Sequence, residues 1–70
     1  MYEIWHTPSG NALSEHPTRR AALDAVRDVL ELDGLRSVRD LALLRVDKRG
    51  DSTLIAAGDD LIRLAETRVA

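Results

Sequence analysis

Tyr2 and Trp5 are the only aromatic residues in this chain, which contains neither phenylalanine nor cysteine. Any core must therefore be assembled from Leu, Ile, Val and Ala, whose individual burial contributes less than that of a ring, and no disulfide can staple it. Leu, Ile and Val supply 19 of the 70 residues, which together with the interspersed charges places the chain among globular sequences and away from disordered ones. Its length sits near the lower edge for an independent core, so residues 1–70 are expected to form a single small domain. At this size, apolar burial at about 25 cal/mol per Å² roughly offsets an ordering cost of about 1.5 kcal/mol per residue. Natural chains of such length add disulfides, a metal or a partner. With no cysteine the first is removed and the second weakened, so association as a homodimer or with a larger protein is the expected supplement.

Ten basic residues against twelve acidic ones give a net charge of -2, whereas nucleic-acid-binding domains usually carry a basic excess on one face. Nucleic acid is thus not the first expectation. Met1 to His6 has no basic region followed by an apolar stretch, and no window approaches the roughly 20 apolar residues of a membrane span. A cytoplasmic protein is expected.

Tyr2 to Thr7 is rich in β-favouring Tyr, Ile, Trp and Thr and runs into the turn cluster Pro8-Ser9-Gly10-Asn11, which predicts strand, turn, strand. The second strand, Ala12 to His16, is short and only partly apolar, as suits a sheet edge, and Pro17 ends it. With Ser9-Gly10 as the loop, Glu3 would lie opposite His16 and His6 opposite Leu13. Thr18 is a good N-cap, and Ala22, Leu23, Val26, Val29 and Leu30 recur at three and four residues, predicting a helix with one buried stripe from Thr18 to Leu32. Arg20 to Asp24 and Arg27 to Glu31 set opposite charges at i, i+4, and Gly34 falls where a left-handed residue closes a helix. Leu35 to Asp40 reads as a connection.

Leu41 to Asp47 is apolar, with alternation emerging as Leu44 and Val46 against Arg45 and Asp47. The polar turn Lys48-Arg49-Gly50-Asp51 leads into Ser52 to Ala57, a second hairpin that Gly58 ends. Asp59 then serves as N-cap and Asp60 suits the helix dipole, while Leu61, Ile62, Leu64, Ala65 and Val69 supply an apolar face and Arg68 the last turn. The expected fold class is α+β, a small antiparallel sheet in β-β-α-β-β-α order with helices packed on one face.

A hairpin followed by a helix that opens Thr-x-x-x-Ala-Leu-x-x-Val, here Thr18 to Val26, resembles the small ββαββ modules of HicB-like antitoxins. The resemblance covers about Tyr2 to Ile55. In that family a similar Thr-x-x-Glu-Ala pattern starts the helix. The family's Glu is here Arg20 or Ala21 depending on alignment, and the first turn is compressed to Pro8-Ser9-Gly10. The resemblance implies a partner-binding module, one that blocks a toxin enzyme or assembles as a dimer. It carries over no functional residue.

Catalytic and metal chemistry finds little to work with. His6 and His16, the only histidines, sit several residue steps apart along the first hairpin, and neither they nor Glu3 and Glu15 supply the three ligands of a catalytic zinc. Ser9, Ser14, Ser37 and Ser52 fall largely in turns, with no nucleophile elbow or phosphate loop. No enzyme activity, metal or cofactor is therefore expected. Arg49-Gly50-Asp51 spells an adhesion tripeptide but reads as an ordinary turn.

Two features invite a binding role. Arg19 and Arg20 put cations in the first helical turn, against the dipole, where with the helix amides and His16 they would receive an anion or a partner's carboxylate; alternatively Arg20 pairs with Asp24 and Arg19 is solvated. Trp5 either anchors the core, with Ile4 outside, or stands on an uncovered face as an interface hot spot. The resulting expectation is a non-catalytic protein-interaction or regulatory module, antitoxin-like, binding through an open sheet face or an edge strand, with Trp5, Arg19 and Arg20 as contact residues. The alternative is a small nucleic-acid-binding module that uses Arg19, Arg20, Arg45, Lys48 and Arg49, and it requires those cations to lie together.

Overall fold

The computed structural model describes residues 1–67. Two antiparallel hairpins, β1 (Tyr2–His6) with β2 (Asn11–His16) and β3 (Leu41–Val46) with β4 (Ser52–Ala57), form one four-stranded sheet. The hairpins join through β1 and β3, giving the order β2-β1-β3-β4 and leaving β2 and β4 as edges. Between the hairpins run α1 (Arg19–Asp33) and the short α2 (Leu35–Arg39), and α3 (Gly58–Thr67) follows the second. The α+β class and the helices on one face are as the sequence predicts. The order is β-β-α-α-β-β-α, however, and Arg68 and Val69 lie outside the described residues.

The added helix is α2, in the segment read as a connection. Gly34, at φ 88, redirects the chain after α1, a conformation in which a side chain would be strained, and its N–H donates to the Leu30 carbonyl at 3.0 Å. Five residues then turn helically because Val38, completely buried, is held against the core. Local periodicity cannot reveal so short a helix, since its one buried residue makes no pattern. At the other end of α1, Thr18 caps as expected, its hydroxyl accepting from the Ala21 N–H at 3.1 Å. The start of α3 differs in detail: the helix begins at Gly58, and Asp59 lies inside its first turn, where its carboxylate accepts from Arg39 Nε at 3.0 Å.

The core lies between the sheet and the helices. Ile4, Leu43 and Ala56 form a row across β1, β3 and β4, and onto it pack Leu23 and Val26 of α1, Val38 of α2 and Leu61 and Ala65 of α3. Ile4 is thus the core residue of β1, which resolves the Ile4/Trp5 alternative: Trp5 lies on the opposite face. Cα extents of 33 × 31 × 17 Å leave depth for one sheet and one helical layer, which pack about 10 Å apart. No described helix is long and apolar enough to cross a membrane.

The first hairpin has a different register from that predicted. Its turn spans four residues, with His6 paired to Asn11 and the Gly10 N–H donating to the His6 carbonyl at 2.9 Å. Leu13 is then inserted as a bulge, so Glu3 faces Glu15 and Tyr2 faces His16. A second bulge interrupts β4: Leu43 pairs with Ala56 but Leu44 with Leu54, leaving Ile55 as the extra residue. Both edges of the sheet are therefore kinked.

Leu43 is completely buried at the centre of the core, whereas Leu32 near the end of α1 is 83% exposed. Leu43→Ala should cost about 2–5 kcal/mol in urea unfolding at fixed protein concentration. Leu32→Ala should change stability by less than about 0.5 kcal/mol. Comparable losses at the two sites would contradict the placement of the core.

Candidate functional site

Alternation along the strands sends every second residue to the face without helices. Trp5 and Glu3 of β1, Ala42, Leu44 and Val46 of β3, and Leu54 and Ala57 of β4 share it, as their pairings Glu3↔Leu44↔Leu54 and Trp5↔Ala42↔Ala57 require. β2 adds Ala12 beside Trp5 and Glu15 beside Glu3. Leu44 and Val46, the residues whose alternation marks the strand in the sequence, thus point away from the helical layer. They are half-buried there, while Leu54 is 60% exposed.

Within this face Trp5 is held rather than loose. Its indole Nε1 donates to Glu3 Oε1 at 2.9 Å, joining two side chains on the same side of one strand. The ring stays half-buried, and Ala42, its direct neighbour on β3, is only 4% exposed although it does not belong to the core cluster under the helices. The small side chains Ala12, Ala42 and Ala57 flank the indole in the same row, so the centre of the face is low and the Trp5 ring stands in it. An ordered indole in an apolar surround is the arrangement that carries most energy at protein interfaces, because little side-chain entropy remains to be lost.

The cations gather elsewhere. His16, Tyr2, Arg45 and Thr53 form a row across one end of the sheet, and Pro17 to Arg20 and the turn Asp47 to Asp51 lie just beyond it. Arg19, Arg20, Arg45, Lys48 and Arg49 are accordingly at one end of the molecule, all exposed. They do not form one surface: Arg19 and Arg20 begin the helical layer, while Lys48 and Arg49 occupy the hairpin tip. An open pocket of about 450 Å³ lies at that tip, lined by Met1, Arg45, Val46, Asp47, Lys48 and Arg49. Asp47 orders the turn, its Oδ1 accepting from the N–H groups of Arg49 at 2.8 Å and Asp51 at 3.0 Å. Trp5 is paired toward the other half of the sheet, so the structure does not bring it together with Arg19 and Arg20.

Each histidine is engaged locally, His6 Nδ1 with Ser9 Oγ at 2.7 Å and His16 Nε2 with Ser14 Oγ at 2.9 Å. They sit at opposite ends of the first hairpin, about 13 Å apart at the strand rise. No group of three His, Cys, Asp or Glu side chains placed to hold a metal occurs among the described residues.

Leu44, Val46, Leu54 and Ala42 are the residues of this face that the sequence did not single out. The missing signal was the β4 bulge, which puts Leu54 on the same side as Leu44 and exposes it. No family model matches the chain, and no curated protein or solved structure does so.

The hydrogen bond from Trp5 to Glu3 has its own signature. In Glu3→Ala the indole N–H should exchange with solvent faster than in the parent chain at equal protein concentration, as read by NMR. Equal rates would mean that Glu3 does not hold the ring.

Proposed function

We propose that the chain is a non-catalytic protein-interaction module of the regulatory, antitoxin-like kind, acting in the cytoplasm through the open face of its sheet. The observation that carries this reading is the apolar centre of that face, Trp5, Leu44, Val46 and Leu54 around a sunken Ala42, left uncovered by the single helical layer. Its charges are the carboxylates Glu3 and Glu15, and Glu3 is occupied by the indole. The face is favoured over strand addition at an edge, because β2 and β4 both carry a bulge, a device that discourages pairing with a further strand. The likeness of the hairpin and Thr18 helix start to HicB-like modules supports a regulatory role.

The test is recovery of a bound protein, further copies of the chain included, on the tagged chain expressed in its own cells. Leu54→Glu places a charge on the apolar centre at a position already exposed, so it should reduce recovery at least about tenfold while leaving the far-ultraviolet circular dichroism unchanged. Undiminished recovery would sink the face as the binding surface.

A second reading, a nucleic-acid backbone binder, rests on Arg45, Lys48 and Arg49 alone, which line the pocket at the hairpin tip, since Arg19 and Arg20 do not share a surface with them. It predicts binding to short DNA or RNA that weakens as salt rises and is lost when Arg45, Lys48 and Arg49 are replaced together. An absence of binding at low salt removes it.

A further inference from the structure

We infer that the pocket at the tip of the second hairpin binds a small phosphate monoester, its phosphate seated among Arg45, Lys48 and Arg49 and its organic body against Met1 and Val46. The site adjoins the open face at Val46 and does not depend on the use of that face. It shares its cations with the nucleic-acid reading, from which it differs in taking one phosphate group rather than a chain of them.

The charges at the tip are left open to a ligand. Arg45, Lys48 and Arg49 all line one pocket of about 450 Å³. Their side chains make no hydrogen bond or ion pair among the described residues, whereas Arg39 and Arg63 are paired with Asp59 and Asp60. Asp47, the only carboxylate in the lining, is turned to another use, its Oδ1 accepting from the N–H groups of Arg49 and Asp51. Asp51 closes the turn and does not line the pocket. Three unpaired cations in one concavity repel one another, and an anion with two charges relieves that repulsion.

The cations are mounted on an ordered backbone. The Asp47 N–H donates to the Asp51 carbonyl at 3.0 Å and the Gly50 N–H to the Asp47 carbonyl at 3.1 Å. The Val46 N–H donates to the Met1 carbonyl at 2.8 Å, which ties Met1 to the same site. Binding then has chiefly side-chain rotamers to order, so its entropic cost is small.

A phosphate monoester fits this set better than a carboxylate or a nucleic acid. Guanidinium groups grip phosphate oxygens in pairs and an ammonium adds a point charge, while a carboxylate brings one charge against three cations. The volume lies in the ordinary range of small-molecule sites, about 300–1,000 Å³, and exceeds what one oxyanion fills. Met1, Val46 and the aliphatic stems of the cations leave an apolar lining for the rest of the ligand. A nucleic-acid strand needs cations along its path, and Arg19 and Arg20 do not continue this surface. The net charge of -2 also opposes a long polyanion, whereas a small ligand feels mainly the charges within a Debye length of about 8 Å.

Amide NMR titration of the isotope-labelled chain tests the site. Adenosine monophosphate and glucose phosphate should shift the signals of Val46 to Gly50 saturably, at least one of them with half-saturation below about 1 mM. Adenosine should not shift them, and inorganic phosphate should bind at least about threefold more weakly than the better ester. Lys48→Ala and Arg49→Ala should each weaken ester binding about fivefold to tenfold, and the two combined with Arg45→Gln should abolish it. All three residues are exposed, so the far-ultraviolet circular dichroism should not change. Esters that leave these signals unmoved, or move them equally in the triple variant, overturn the site. Inorganic phosphate bound as tightly as the esters overturns the organic ligand. A short single strand of DNA bound more tightly than its number of phosphates accounts for overturns the monoester in favour of nucleic acid. None of these outcomes involves Leu54, so the interaction-face reading stands or falls separately.

Discussion

The packing of one helical layer onto the row Ile4, Leu43 and Ala56 is the contact on which the remaining structure depends. Leu43 is completely buried where the two hairpins meet, and Val26, Val38 and Leu61 close over it from three helices. Because those side chains are aliphatic and of moderate size, the core is thin, and a thin core on one side commits the chain to an uncovered sheet on the other. The short α2 belongs to the same economy: five residues place one fully buried Val38 in the core cluster.

The two bulges set what the uncovered sheet presents. Strict alternation backward from Ala56 would send Leu54 to the helical side; the extra Ile55 lets Ile55 pack on the core and turns Leu54 outward beside Leu44. In β2 the extra Leu13 shifts the register so that Glu15 meets Glu3. The same irregularities kink both edges, so a face that is apolar and orderly lies between edges that resist pairing. A rigid indole tied to Glu3 completes a surface suited to a broad contact rather than to added strands.

Much of the architecture was legible in the sequence. The stripe from Ala22 to Leu30, the Thr18 cap, the two turn clusters and the Gly58 boundary are local signals, and the elements fall where those signals put them. Leu35 to Arg39 was not legible, because its helix is held by a tertiary contact at Val38 rather than by a repeating pattern. Trp5 and the basic residues were visible as candidates, yet their grouping was not: pairing of β1 with β3 gathers Arg45, Lys48 and Arg49 at the same end of the molecule as the start of α1, and packing of the helices on Ile4 leaves Trp5 on the open face.

By itself, then, the sequence determined the α+β class, most of the element order and the scarcity of core material, since composition, turn chemistry and periodicity act within a few residues of where they are written. The tertiary structure alone decided that the hairpins join through β1 and β3, that bulges fall at Leu13 and Ile55, and that Trp5, Leu44 and Leu54 share the open face. Register is the physical reason. A shift of one residue reverses which side chains face the helices, and that shift is set by packing across the whole sheet rather than by any local stretch of chain.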